Sequence, residues 1–236
     1  MRRTALALAV FLVAAWAGGA HAARPARQPV VVEVFTSQSC ASCAGGDKLL
    51  DGVASRPDVL ALTLAVDYWN YLGWNDTFAR PEFTARQKAY MARLKIREVY
   101  TPQVVVDGRL QAAGADHDKI DALIRSAARG KAAVPSMRFS RRGAVEIAAG
   151  KAPSGGAEVW LVRYDPRVQE VPVKTGENRG RTLTQRNVVR QLVRLGSWSG
   201  RAKSYPLPEP PDGPALKTCV LVQGAKGGRI IGVLER

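Results

Sequence analysis

Two cysteines, Cys40 and Cys43, stand in a Cys-x-x-Cys pair where the apolar β-branched run at 30–35 gives way to a short polar turn at 36–39. That order places the sulfurs at the first turn of a helix that follows a strand. A helix N-terminus presents unpaired N–H groups and the positive end of the helix dipole, so a sulfur there ionises more readily. The thiolate is the species that attacks disulfides. Cys40, the first of the pair, is the expected exposed nucleophile, and Cys43 the thiol that resolves a mixed disulfide by closing the Cys40–Cys43 bond. Taken alone, the spacing fits a structural disulfide or half of a metal site equally well.

A second motif narrows the choice. Thr101-Pro102 directly precedes the apolar run at 104–106. Proline lacks a backbone donor and can adopt the cis form, so it suits the first residue of a strand and marks a bend there. In a thioredoxin-like fold such a proline packs against the cysteine turn, and the residue before it offers backbone groups to an extended substrate. Thr101 and Pro102 are therefore candidate substrate-binding residues. The loop at 67–83 carries Tyr68, Trp69, Tyr71, Trp74, Phe78 and Phe83. Trp69 and Trp74 are candidate substrate contacts, with packing as a small lid the competing role. Glu33 interrupts an otherwise apolar strand. If it lies beneath Cys43 it is a candidate proton acceptor for the buried sulfur; otherwise it is a polar contact on the sheet face.

These residues need elements to hold them. A helix is expected over about 41–55, then a strand at 58–66 whose near-continuous apolar run suits burial on both faces, giving a βαβ unit with parallel strands. Both strands of such a unit end at the same sheet edge, which brings the aromatic loop beside the cysteine turn. Pro81 is placed to open a second helix. Asp107-Gly108 joins strands at 104–106 and 110–113 as a hairpin, and 116–129 reads as a closing helix. The order β-α-β-α-β-β-α is thioredoxin-like. After Gly130 short alternating runs separated by Gly, Pro and Asp predict antiparallel strands. Residues 182–198 fit a helix or a long strand, with strand preferred; 205–214 is expected as a proline-rich loop, and 218–223 with 229–234 as a final strand pair.

Residues 1–22 carry Arg2 and Arg3, an apolar run from Ala5 to about Ala17, and Ala20-His21-Ala22, whose small residues suit signal peptidase. The expectation is cleavage after Ala22 and delivery to the periplasm or beyond, an oxidising setting where a disulfide persists. No later stretch approaches the roughly 18 apolar residues of a membrane span, so no stable membrane insertion is expected after cleavage. The 236-residue chain has a formal charge of +15, which loss of Arg2 and Arg3 reduces to +13, with the basic excess concentrated after Gly130. No nucleic-acid recognition motif accompanies that charge, and a solvated basic surface explains it more simply. His117 is the single histidine left once His21 departs with the signal. That argues against multi-histidine metal sites and a Ser-His-Asp hydrolase. A copper or zinc carrier using two thiolates lacks other obvious ligands. Cys219, in an apolar run, reads as a buried core thiol.

The segments FTSQSCASC, VDYWNYLGW, FTARQKAY, VYTPQVVVDG and GENRGRTLTQRNVVRQLVRLGSWSG together resemble the secreted thioredoxin-like family known as domain of unknown function 1223. The resemblance implies an α/β chain with a signal peptide at 1–22, a thioredoxin-like domain at 23–130 and a smaller all-β, sandwich-like subdomain at 131–236; it brings no established substrate. Ala44-Gly45-Gly46 departs from the family's proline-containing helix start, and two glycines loosen a first turn. The functional expectation is a periplasmic or secreted thiol–disulfide oxidoreductase acting on a protein or small thiol/disulfide substrate, without cofactor or metal. The alternative is a non-catalytic secreted binding module in which Cys40–Cys43 is a structural staple.

Overall fold

The structure, a computed structural model, describes residues 28–44, 52–130 and 135–236. The expected signal peptide and Gly45-Gly46 lie outside the described residues. Strands β1 (Val30–Thr36) and β2 (Val59–Ala65) are buried along their whole length and pair in parallel, Val30 opposite Val59 and Thr36 opposite Ala65. Their near-continuous apolar sequences match burial on both faces. β3 (Gln103–Val106) runs antiparallel to β1, and β4 (Leu110–Ala113) returns from it through Asp107-Gly108, both at positive φ. Positive φ at both turn residues is what an Asp-Gly hairpin turn supplies.

Helix α1 (Pro81–Leu94) opens on Pro81 and stops at Lys95, which turns left-handed at φ 55. Helix α2 (His117–Arg129) is capped by Asp116, whose carboxylate accepts from the Lys119 N–H at 3.2 Å. The helices cover opposite faces of the sheet because β1 alternates. Val31 and Phe35 pack with Phe83 and Tyr90 of α1; Val30, Val32 and Val34 pack with Ile120, Ile124 and Ala127 of α2. Emptying one such position, as in Ile124→Ala, costs about 2–5 kcal/mol. Of the helix expected over 41–55, a short 3-10 turn at Ala41–Cys43 and helical backbone at 52–54 are described.

The strands of the later half divide among three sheets. β7 (Ala157–Asp165), β10 (Val188–Trp198), β12 (Lys217–Gly224) and β13 (Ile230–Glu235) extend the first sheet to eight strands in the order β13-β12-β7-β10-β2-β1-β3-β4. The junction is a short parallel contact, Val188 opposite Thr63, reinforced by Thr63 Oγ1 donating to the Arg186 carbonyl at 2.6 Å and Asn187 Nδ2 to the Ala61 carbonyl at 2.9 Å. β5 (Met137–Phe139), β6 (Ala144–Ile147) and β11 (Lys203–Pro206) form a three-stranded sheet. It packs Val145, Ile147 and Tyr205 onto Val159, Leu161, Val220 and Val222. β8 (Gln169–Pro172) and β9 (Thr182–Gln185) make a separate two-stranded ribbon.

The ambiguous segment 182–198 is thus strand throughout its regular parts, 182–185 paired with β8 and 188–198 with β7. One expectation is corrected. Tyr205 and Pro206, expected to open the proline-rich loop, instead end the strand Lys203–Pro206, because Tyr205 is drawn into the small sheet's core opposite Val145.

Candidate functional site

Cys40 and Cys43 are joined in a disulfide, with Cα atoms 5.3 Å apart. Cys40 occupies the cap position of the 3-10 turn Ala41–Cys43 in extended backbone, and its carbonyl accepts from the Cys43 N–H at 3.1 Å. The expected exposed nucleophile is more covered than anticipated: Cys40 is 4% exposed and Cys43 6%, whereas Ala41 and Ser42 between them face solvent. Thr101 and Ser42 provide the cover nearest the Cys40 sulfur. The Thr101 hydroxyl donates to Cys40 Sγ at 3.1 Å, and Ser42 Oγ lies 3.3 Å from the same sulfur.

The Thr101 hydroxyl has one proton, and a neighbour decides where it points. Trp69 Nε1 donates to Thr101 Oγ1 at 2.8 Å, which occupies an acceptor position and leaves the proton for the sulfur. A hydrogen bond to sulfur favours its charged form, so in the reduced protein this relay stabilises a Cys40 thiolate. The Thr101 carbonyl lies 3.8 Å from Cys40 Sγ. A disulfide sulfur has no proton to give it, so that contact becomes a hydrogen bond only as a thiol. Tyr71, 77% exposed, stacks on Trp69 at 6.3 Å, and burial pushes the neighbouring Tyr68 phenol up to about 12.

Pro102 follows in a cis peptide bond. Its segment is held by Gln87 Nε2, which donates to the Tyr100 carbonyl at 2.8 Å, and by the Gly114 N–H donating to the Pro102 carbonyl at 2.8 Å. Gly114 is required there, since a Cβ would stand 2.8 Å from the Pro102 Cβ.

The residues preceding Cys40 are gripped from two sides. Gln38 is fully buried; its backbone N–H donates to Asp76 Oδ2 at 2.7 Å, and its side-chain oxygen accepts from Trp74 Nε1 at 2.9 Å. Ser39 Oγ donates to the Trp74 carbonyl at 2.6 Å. Burial raises the Asp76 carboxyl above its ordinary value, partly offset by N–H donors from Gln38, Phe78 and Ala79. From the other side, Asn178 Nδ2 donates to the carbonyls of Gln38 at 2.9 Å and Cys40 at 3.0 Å. The loop bearing Asn178 is itself docked on the aromatic loop: Thr175 Oγ1 donates to the Gly73 carbonyl at 2.5 Å, and Gly176, at φ +76, presses against Leu72 and Trp74.

Thus Cys40, Cys43, Thr101 and Trp69 come together, with the cis Pro102 following Thr101 in the chain, while Trp74 touches the turn through Gln38 and Ser39 and serves as its support. Glu33 joins a different network. It forms a buried ion pair with Arg86, Nε to Oε1 at 2.5 Å, and accepts from the Tyr90 hydroxyl, to which Gln223 also donates at 3.0 Å. Burial pulls the Arg86 guanidinium down, and Glu33 and Tyr90 together more than restore it; burial drives the Tyr90 phenol well above its ordinary range. Among the described residues, no hydrogen bond links Glu33 to either cysteine. Cys219 is wholly buried and free, its thiol pushed up by burial and then by Glu235 and Glu33. A neutral thiol in that position is a core residue.

The family described as protein of unknown function (DUF1223) matches residues 31–223. The chain belongs to this family. The matched span takes in the cysteine turn, Thr101-Pro102 and Asn178 alike. Among solved structures, protein AGR_C_4864 from Agrobacterium tumefaciens is 33% identical, with 87% of this chain and 92% of that one covered at a TM-score of 0.65. No match is found among the curated proteins. Within the family framework, three supporting residues escaped sequence reasoning: Gln38, Asp76 and Asn178. The signal for Asn178 was its place in GENRGR, a segment noted for its resemblance and given no role.

Proposed function

We propose that this family member is a thioredoxin-like thiol–disulfide exchange protein of the periplasm or the cell exterior, acting on a protein or small-molecule disulfide without a cofactor. In the reduced state the Cys40 thiolate attacks a substrate disulfide, forming a Cys40–substrate disulfide and releasing the other substrate sulfur as a thiolate. The Cys43 thiolate then attacks Cys40 Sγ, closing Cys40–Cys43 and releasing the second substrate sulfur, so two electrons pass from protein to substrate. Run backwards, the same steps oxidise a dithiol.

The observation that carries this reading is the Trp69–Thr101–Cys40 hydrogen-bond relay. A disulfide used only as a staple has no need of a donor aimed at one of its sulfurs. The parallel β1–β2 pair, antiparallel β3–β4 hairpin and helices on both faces support the thioredoxin-like reading. Trapping tests it: with Cys43→Ser, Cys40 should accumulate mixed disulfides with envelope thiols, and Cys40→Ser should accumulate far fewer. Equal or absent trapping by both variants would refute the assignment.

A second reading, the non-catalytic binding module with a structural disulfide, is favoured by the burial of both cysteines and by the clamp of Asp76, Trp74 and Asn178 on the turn. The aromatic pair Trp69–Tyr71 would then be the binding surface. Its mark would be a disulfide too stable for exchange.

A further inference from the structure

The end of the sheet opposite the disulfide holds a cleft that thiol exchange does not use. Thr36 leads from β1 into the cysteine turn, whereas the Val30 end of β1 meets the β12–β13 turn: the Ile230 N–H donates to the Asp107 carbonyl at 2.9 Å, and the Asp107 N–H to the Val31 carbonyl at 2.8 Å. Seven residues of strand separate these two ends, about 20 Å at roughly 3.3 Å per residue. At the far end a cleft of about 630 Å³ opens between the last turn of α1, the loop at 153–155 and the turn at 224–229. That volume is in the range of small-molecule sites.

Its lining has two characters. Ala92, Pro153 and Ile231 are apolar, while Arg93, Lys226 and Arg229 bring three cations. No acidic residue lines it among the described residues, and none of the three cations forms an ion pair with a described carboxylate. Arg229 anchors one end of its fork on the Gly130 carbonyl and leaves Nε buried without a partner. Arg93, exposed in the last turn of α1, also sits where a cation interacts favourably with the helix C-terminus. Like charges around a concave, partly apolar wall focus a positive potential into it. Guanidinium groups pair with carboxylate or phosphate oxygens in a planar fork.

We propose that this cleft binds a small amphipathic acid, its carboxylate or phosphate head held by Arg229 and Lys226 and its apolar body lying against Pro153 and Ile231. An inorganic anion alone leaves the apolar wall wet, and an uncharged apolar molecule leaves the cations unneutralised, so both parts are needed.

The test is calorimetric titration of the full mature chain with four probes: octanoate, octyl phosphate, inorganic phosphate and octanol. At least one amphiphile should bind saturably, about tenfold or more tighter than either phosphate or octanol, with affinity falling as salt rises. Lys226→Gln alters an exposed side chain and should weaken binding several-fold; Arg229→Gln should weaken it further. Cys40→Ser/Cys43→Ser should bind normally, which separates this site from the exchange reading. Absence of saturable binding by both amphiphiles at millimolar concentration would overturn the proposal. So would binding indifferent to Lys226→Gln and Arg229→Gln, or phosphate binding as tightly as octyl phosphate.

Discussion

Thr101→Val removes the one hydroxyl aimed at Cys40 and puts a methyl group of nearly the same size in its place. The Thr101 Oγ1 to Cys40 Sγ distance of 3.1 Å is short for a sulfur acceptor, and Trp69 Nε1 at 2.8 Å fixes the donor. Hydrogen bonds to charged groups contribute about 1.5–3 kcal/mol. Sulfur is a weak acceptor and the site is open beside Ser42, so the lower end applies. At roughly 1.4 kcal/mol per factor of ten, the thiolate population of Cys40 at neutral pH should fall about tenfold. The assay is the rate of iodoacetamide alkylation of the fully reduced protein from pH 4 to 9, with Cys40 followed by peptide mass. The variant's curve should shift to higher pH while its maximum stays close to that of the parent. Trp69→Phe keeps the hydroxyl but frees its proton to rotate, and should give a smaller shift in the same direction. Superimposable curves for parent and Thr101→Val would refute the relay and remove the main support for an exchange site.

Asn178→Ala leaves two buried carbonyls, those of Gln38 and Cys40, without their donor. The expected loss is about 2–4 kcal/mol, seen calorimetrically as a fall in Tm of roughly 5–10 °C in the oxidised protein. Glu33→Gln strands the buried Arg86 cation and should lower stability to urea by about 3–5 kcal/mol without slowing Cys40 alkylation. Slowed exchange at unchanged stability would instead restore Glu33 as a proton acceptor. Burial raises the Cys219 thiol above its ordinary 9.0 and the Tyr90 phenol above its ordinary 10.0, so the folded chain keeps protons that the unfolded chain releases. Their contribution is intact below about pH 9 and is lost as pH rises. The urea midpoint should therefore decline between pH 9 and 11, and Cys219→Ala should flatten the earliest part of that decline.

The parts of the fold legible in the sequence are those carried by local pattern. The near-continuous apolar run of β1, the Asp-Gly hairpin turn, Pro81 at a helix start and Asp116 at a cap each leave a short-range signal. The cysteine turn and Thr101-Pro102 were readable because each needs a rare residue type at a fixed spacing. Asn178 was not, since it reaches the Cys40 carbonyl across 138 residues through a loop with no periodicity. The partner of Glu33 was hidden for a related reason. Arg86 shares a helix face with Phe83 and Tyr90, but a charge on an apolar face gives no sign of which strand residue will neutralise it. The strand at Lys203–Pro206 was masked by its proline and by the proline-rich stretch that follows, which suggested a loop where Tyr205 provides an anchor.

The equilibrium between Cys40–Cys43 and its dithiol form in defined glutathione and dithiothreitol buffers tests the exchange assignment most directly. The relay to Cys40 predicts a reduction potential within the span of exchange proteins, about −120 to −270 mV, and a mixed disulfide that Cys43→Ser preserves. A potential below about −300 mV, with no mixed disulfide formed, would contradict it and make the bond a staple.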